Sequence, residues 1–245
     1  GGEPMLRRGV IERAAAHKDI LFPVFTNGTV LDAALVELLD QNRNLIPIVS
    51  IEGGEAQTDT RRGSGTYAAL HGSMRAFKQR GIFFGASITL TTANLKTVTS
   101  DEFLNDLKED GCKIAFYVDY VPADPGTESL APGESEQAFL ADRLAELRAK
   151  QDGMVYVSFP GDEQFAGGCL AAGRGFFHIN PCGGAEPCPF SPVSDTSVTD
   201  VSLLDALNSP LFVRLRASEL LKEHHDGACA LFGHEDEVRG MCAKE

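Results

Sequence analysis

Five short stretches constrain this chain more than any other feature: "ILFPVF" (20–25), "LIPIVSI" (45–51), "IFFGASITL" (82–90), "KIAFYVDYV" (113–121) and "MVYVSF" (154–159). Each is apolar almost throughout, not merely at alternate positions. Strands of that kind are buried on both faces, as in a parallel sheet covered by helices. Helical patterns separate them. Pro4 suits the opening of a helix over 4–16. Leu31, Ala34, Leu35, Leu38 and Leu39 share one stripe, and Tyr67, Leu70, Met74 and Phe77 mark another that stops at Gly81. A helix over 100–110 is capped by Ser100 and ended by Gly111, and 135–150 carries Phe139, Leu140, Leu144 and Leu147. The polar, glycine-rich stretch up to about residue 65 reads as a loop. Alternating strand and helix predicts an α/β fold, either a barrel or a doubly wound sheet.

After residue 153 the pattern changes. One more strand leads into a segment rich in Gly and Cys. "GRGFFHINPCGGAEPCPF" (173–190) reads as a β-hairpin turning from Asn180 to Gly184, and short helices follow near 201–208 and 210–223. The expected organisation is an α/β domain over 1–153 and a small hairpin-and-helix module over 154–245.

With 245 residues the chain is long enough to bury roughly 70–75% of its unfolded surface, so a core needs no disulfide support. A net charge of −13 disfavours nucleic acid and anionic membranes as partners. No apolar run approaches the ~18 residues of a membrane span, and no secretion signal is evident. The expected location is therefore the cytoplasm, where thiols stay reduced. Of the six cysteines, Cys112 stands apart, and Cys169, Cys182, Cys188, Cys229 and Cys242 crowd the C-terminal part. Clustered thiols in a reducing compartment point to metal.

In parallel α/β folds ligands gather at the C-terminal ends of strands. The polar residues at those positions are Glu3 in the opening "GGEP", Thr26 and Asn27, Ser50 and Glu52, Asn94, and Asp119. The alternative is local: Asn27 as a turn residue, Ser50 as a partner for nearby backbone.

"GGEP" followed by a helix resembles the second strand-end motif of the radical S-adenosylmethionine (SAM) enzymes. The resemblance implies that Gly1, Gly2, Glu3 and Pro4 receive the methionyl amino group of SAM. "PVFTNGT" (23–29) resembles the next strand and turn of that family. "VSIEGGEAQTDTRRGSGTYAAL" (49–70) resembles its following strand, loop and helix. By that match Ser50 and Arg62 lie near the SAM ribose and carboxylate, with Arg61 competing for the role, and Glu52 stands where Asp is usual. Thr26, Asn27 and Asn94 join the cofactor-binding set. In the tail, Cys169, thirteen residues, Gly183, four residues and Cys188 resemble the SPASM or twitch extension, which holds an auxiliary iron–sulfur cluster. Cys229 matches that extension's later ligand. Cys182 is a fourth-ligand candidate beside His178, His224, His225 and His234, whereas Cys242, three residues from the end, reads as frayed.

The resemblance implies a partial (β/α)6 barrel plus a SPASM/twitch-like module. It also implies reductive cleavage of SAM to a 5′-deoxyadenosyl radical that abstracts a substrate hydrogen. Reduced flavodoxin or ferredoxin would donate the electron, and the substrate would be a peptide or protein. The catalytic [4Fe-4S] cluster of this family sits on a CX3CX2C loop. No such spacing occurs here, since the smallest cysteine separation is six. The expectation is a chain lacking the first strand, its helix and most of the second strand of the barrel, and retaining four complete strands plus the end of another. Two rivals remain: a non-catalytic iron–sulfur or zinc protein serving electron transfer or scaffolding, and an ordinary barrel hydrolase or aldolase.

Overall fold

A computed structural model of the chain describes residues 2–222 and 229–242. The described residues divide into two compact units, the first ending at Phe159 and the second beginning at Pro160. The division falls later than residue 153 because the strand Val155–Phe159 hydrogen-bonds into the sheet of the first unit.

In the first unit a 3-10 turn at Pro4–Leu6 leads into α1 (Arg8–Ala16) and β1 (Phe22–Thr26). There follow α2 (Ala33–Gln41), β2 (Leu45–Ser50), α3 (Glu55–Arg62), α4 (Thr66–Gln79) and β3 (Gly85–Leu90). Then come α5 (Leu95–Val98), α6 (Asp101–Glu109), β4 (Ile114–Asp119), α7 (Glu134–Lys150) and β5 (Val155–Phe159). The strands form one parallel sheet in the order β1-β2-β3-β4-β5, giving five full strands where four were expected. The fifth is the stretch the sequence pattern assigned to the second module.

One face of this sheet carries the core. Val24, Val49, Ala86, Ala115 and Tyr156 are buried with Leu35 and Leu39 of α2, Leu70, Met74 and Phe77 of α4, and Leu140, Leu144 and Leu147 of α7. Residues of the opposite parity line the other face. The register aligns Phe25, Ile48, Gly85, Ile114 and Val155 in one row of that face. The ring of Phe25 on β1 meets that of Phe116 on β4 with centroids 6.0 Å apart. A flat sheet would hold strands three spacings apart at about 14 Å. The sheet therefore curls into a partial barrel with this face inside. At the middle of the row, a Cβ on Gly85 would stand 3.0 Å from Ile114 Cβ, Ile114 O and Ile48 Cδ1. The missing side chain lets its neighbours close over the strand.

Other expectations are corrected as well. The presumed loop before residue 65 contains α3. It has no apolar stripe, and Thr58 is its one buried residue, so periodicity could not reveal it. Glu55 in its first turn and Arg61 and Arg62 in its last complement the helix dipole. Ala34 and Phe139, placed on apolar stripes, are exposed.

The second unit opens with a 3-10 turn (Gly161–Ala166) and a hairpin of β6 (His178–Ile179) and β7 (Ala185–Glu186). The turn from Asn180 to Gly184 is as expected, with Asn180 Oδ1 accepting from the backbone N–H of Cys182 and of Gly184 at 2.9 Å each. Helices α8 (Leu203–Leu207), α9 (Pro210–Ala217) and α10 (Glu235–Cys242) follow. Their core is separate from that of the first unit and includes Ala171, Ala185, Phe212, Leu215, Leu231 and Val238. Cys242 is half-buried on α10 and packs against this core, so it is not frayed. Among the described residues no helix is long and apolar enough to cross a membrane.

Replacing Gly85 by alanine is expected to destabilise the protein by about 1–3 kcal/mol, since the inner face has no room for the methyl group. Urea denaturation of Gly85→Ala beside wild type measures the loss, and an unchanged midpoint would contradict the crowding.

Candidate functional site

Parallel pairing sends the C-terminal ends of all five strands to one rim of the first unit. Glu3 reaches that rim from the opening turn. Its Oε1 accepts from Thr26 Oγ1 at 2.7 Å and from Met5 N at 2.9 Å, and Oε2 accepts from Asn27 N at 2.7 Å. The carboxylate thus latches the chain's first residues to the end of β1. Thr26 Oγ1 in turn accepts from Gly28 N at 3.1 Å, and Asn27 Oδ1 accepts from Thr29 N at 3.0 Å. Asn27 is a turn residue here. Pro4 starts the 3-10 turn, Gly2 is exposed, and Gly1 lies outside the described residues.

On the inner face, Ser50 stands beside Ser87 in register, both half-buried. Neither hydroxyl has a hydrogen-bond partner among the described residues. Beyond Ser50 the chain buries Glu52, which is 2% exposed. Arg62 donates through Nε and Nη2 to Glu52 Oε1 at 2.8 and 2.5 Å, and Arg61 Nη1 donates to Oε2 at 2.8 Å. Arg61 also lies 5.8 Å from the centre of the Tyr120 ring. Two guanidiniums around one carboxylate leave a net positive charge, and each retains unspent N–H groups. The two arginines therefore share the position, Arg62 bound to Glu52 twice and Arg61 bound once and set beside Tyr120.

Asn94 plays a different part from the one expected of a ligand. Its Oδ1 accepts from Thr91 N and Thr91 Oγ1 at 2.8 and 3.1 Å, and Nδ2 donates to Thr89 O and Glu52 O at 2.9 and 3.1 Å. A side-chain amide has no further capacity after four bonds. It ties the end of β3 to the backbone of Glu52. Asp119 shares the parity of the core-facing Ala115 and Tyr117. It is 5% exposed, its Oδ1 has no partner, and burial pushes its carboxyl up to about 6.

The second unit gathers thiols. Cys169, Cys188 and Cys229 are all part of, or packed against, its core. Interaction between Cys188 and Cys229 lowers the Cys229 thiol to about 7, while that interaction and burial push Cys188 up. Burial pushes Cys169 up to about 12, Cys229 also raises it, and Cys169 in turn raises Cys188. Cys182 is exposed on the hairpin turn and does not join them. His178 Nδ1 pairs with its cross-strand neighbour Glu186 at 2.7 Å, and His234 pairs with Glu237 at 3.5 Å. His224 and His225 lie outside the described residues. Cys112 belongs to the other core, where burial pushes it up to about 12.

Three residues of this region carry no sequence signal of periodicity or spacing. Arg174 Nη1 donates to Cys169 O and Leu221 O at 2.7 and 3.0 Å, and Nη2 donates to Ala166 O and Gly167 O at 3.1 Å each. Gly168 has φ +105, and a Cβ there would stand 2.2 Å from Leu221 O. Glu163, 4% exposed, accepts from Leu170 N at 2.9 Å, and its carboxylate raises the Cys169 thiol. Among the described residues no three His, Cys, Asp or Glu form a group able to hold a metal ion. A cluster is a larger body in which each iron takes its own ligand, so its thiolates stand further apart than donors around one ion. Three soft thiols in one small core are the donor chemistry that an iron–sulfur cluster takes.

The first unit thus defines a class: a curled parallel α/β sheet with a ligand rim at its strand ends. No family model matches the chain, and no curated protein matches it. Solved structures do. Streptococcus suis SuiB bound to S-adenosylmethionine superposes with a TM-score of 0.75 at 16% identity, over 98% of this chain and 62% of that one. SuiB bound to precursor peptide SuiA gives 0.71 at 14% identity, over 98% and 61%. Native anSMEcpe with bound AdoMet and Cp18Cys peptide gives 0.67 at 16% identity, over 92% and 70%. Those proteins are radical SAM enzymes, and the chain has the fold of the radical SAM superfamily, as a partial barrel. It spans less than two thirds of the length of SuiB.

Asp119 links pH to stability. Its folded-state value lies above the unfolded one, so its carboxyl favours the folded form below pH ~4, and that contribution is lost as pH rises through about 6. Asp119→Asn should therefore stabilise the protein by roughly 2–3 kcal/mol at pH 7.5 and by little at pH 4. Chemical denaturation at the two pH values reads the difference, and equal effects at both would refute it.

Proposed function

We propose that this chain forms the SAM-binding strand ends and an auxiliary-cluster module of a radical SAM enzyme that modifies a peptide. One observation above the others supports the reading: the likeness to SAM-bound SuiB runs through 98% of the chain and so includes residues of both units. The local chemistry agrees. SAM carries an ammonium, a carboxylate and ribose hydroxyls. The Ser50 and Ser87 hydroxyls are unspent on the inner face and suit a ribose. Arg61 and Arg62 keep N–H groups for a carboxylate, and a guanidinium fork matches it in shape. The latched Glu3 retains one lone pair, on Oε2, for an ammonium, at roughly 1.5–3 kcal/mol for the charge-assisted bond.

When bound, SAM supplies reductive cleavage and hydrogen abstraction from a substrate, once an electron reaches it from a donor such as reduced flavodoxin or ferredoxin. The chain's residues bind and orient. Asn94 and Glu52 act through others: Asn94 holds the Glu52 backbone, and Glu52 holds both guanidiniums at the rim. In the second unit Cys169, Cys188 and Cys229 would hold an auxiliary [4Fe-4S] cluster. The peptide substrate class is favoured because SuiB and anSMEcpe are both seen with peptides bound.

Anaerobic calorimetry with SAM tests the rim. Arg62→Ala should weaken binding about 10–100-fold, the equivalent of one charge-assisted contact, and an unchanged affinity would remove Arg62 from the site. Anaerobic reconstitution with ferrous iron and sulfide tests the thiols. A brown protein with iron and sulfide bound is expected, and Cys169→Ser should lose most of both. A colourless wild type would end the cluster reading.

A further inference from the structure

Two cations meet one carboxylate just beyond the end of β2. Arg62 holds Glu52 Oε1 through Nε and Nη2, and Arg61 holds Oε2 through Nη1. Among the described residues neither arginine pairs with any other acid, so the group keeps an uncompensated positive charge in a chain of net charge −13. SAM presents a single carboxylate to this group, and a single guanidinium fork matches it. One arginine is therefore left over, and the two differ in what else they touch.

Arg61 is the more open of the pair, with its side chain 41% exposed against 25% for Arg62. It is also held from a second side. Its guanidinium lies 5.8 Å from the centre of the Tyr120 ring, within cation–π reach. Tyr120 N donates to Leu90 O at 2.9 Å and so carries the ladder one residue past β4. Tyr120 thereby keeps the parity of Ile114 and Phe116, which belong to the inner face. Most of the Arg61 N–H groups have no acceptor among the described residues. Arg61 is thus fixed at the mouth of the barrel on the β4 side. The ammonium and carboxylate of SAM hang on one carbon, so the arginine serving that carboxylate belongs on the side of Glu3, at the end of β1.

We propose that Arg61, braced by Glu52 and Tyr120, is a substrate subsite: it takes a carboxylate of the peptide, from an acidic side chain or a free C-terminus, and leaves Arg62 to SAM. This rests on the reading of the strand ends as a SAM site and deepens it. A two-pronged contact with Arg61 anchors one point of the peptide at the mouth and so limits which neighbouring residue can face the cofactor. An amide at that point has the same shape but draws nothing from the extra charge.

The test uses the whole chain, labelled with nitrogen-15 and kept at a SAM concentration that saturates each variant. Three probes are titrated: N-acetyl-Gly-Glu-Gly-amide, its Gln counterpart, and N-acetyl-Gly-Gly-Gly with a free carboxylate. The readouts are each Kd and the shift of the Arg61 Nε–H signal, identified by its absence from Arg61→Gln. That variant keeps a side-chain N–H for Glu52 Oε2, and Arg62 keeps the ion pair. Wild type should bind a carboxylate probe about fivefold or more tighter than the Gln probe, with the Arg61 signal moving. A stronger Glu probe assigns the subsite to an acidic side chain, and a stronger free-acid probe assigns it to a C-terminus. Arg61→Gln should bring the preference down to about one, and Tyr120→Leu should reduce it about two- to threefold. Arg62→Gln should need more SAM to saturate and yet retain the preference. The proposal is overturned if wild type binds all three probes equally, or if the preference survives in Arg61→Gln or vanishes in Arg62→Gln. Wild type that binds no SAM overturns the reading of the rim itself, a result separable from these.

Discussion

Parallel pairing with a tight inward curl is the constraint on which the first unit depends. Because all five strands run one way, polar residues that end different strands are brought to one rim although the strands lie far apart in sequence. The curl decides which of them can share a ligand. It is visible in the meeting of Phe25 with Phe116, and Gly85 makes room for it between Ile48 and Ile114. Ser50 and Ser87 are neighbours on the inner face because the same register carries through from that row.

The rim is organised by buried acceptors as much as by the groups that face outward. Glu52 is enclosed, and both of its oxygens are occupied by arginines that would otherwise be free to extend into solvent. Removing one member of such a set leaves an uncompensated charge in a poorly solvated place, so the three residues act as a unit. Asn94 secures the backbone beneath them. Glu3 does for β1 what Asn94 does for β3, using a carboxylate in place of an amide. Positioning is thus layered: a saturated residue holds a charged one, which holds the donors at the edge.

Much of this was legible in the order of residues. Wholly apolar strands separated by amphipathic helices announce a parallel sheet, and the strand-end rule finds Glu3, Ser50 and Glu52 before any coordinates. The hairpin was readable from Asn180 and the glycines after it. What escaped has physical causes. α3 is held by its dipole and by Glu52, not by an apolar face, so it leaves no periodic trace. The strand Val155–Phe159 looks like any apolar strand, and only its hydrogen bonds to β4 show which unit owns it. Asn94 was legible as a polar residue at a strand end and Arg62 through the family resemblance, but whether a side chain faces a ligand or is consumed by the fold depends on contacts 42 and 10 positions away in sequence. Glu163 was invisible because an acid in an irregular turn reads as surface until its burial is known.

Arg174 and Gly168 together carry a consequence for how the second unit acquires whatever its thiols bind. One planar side chain stitches four carbonyls of two separate segments, and a residue without a side chain lets those segments touch. The loop bearing Cys169 is therefore shaped by the polypeptide alone. Its entropy of ordering is spent during folding, so an arriving guest finds a waiting receptacle and need not mould one.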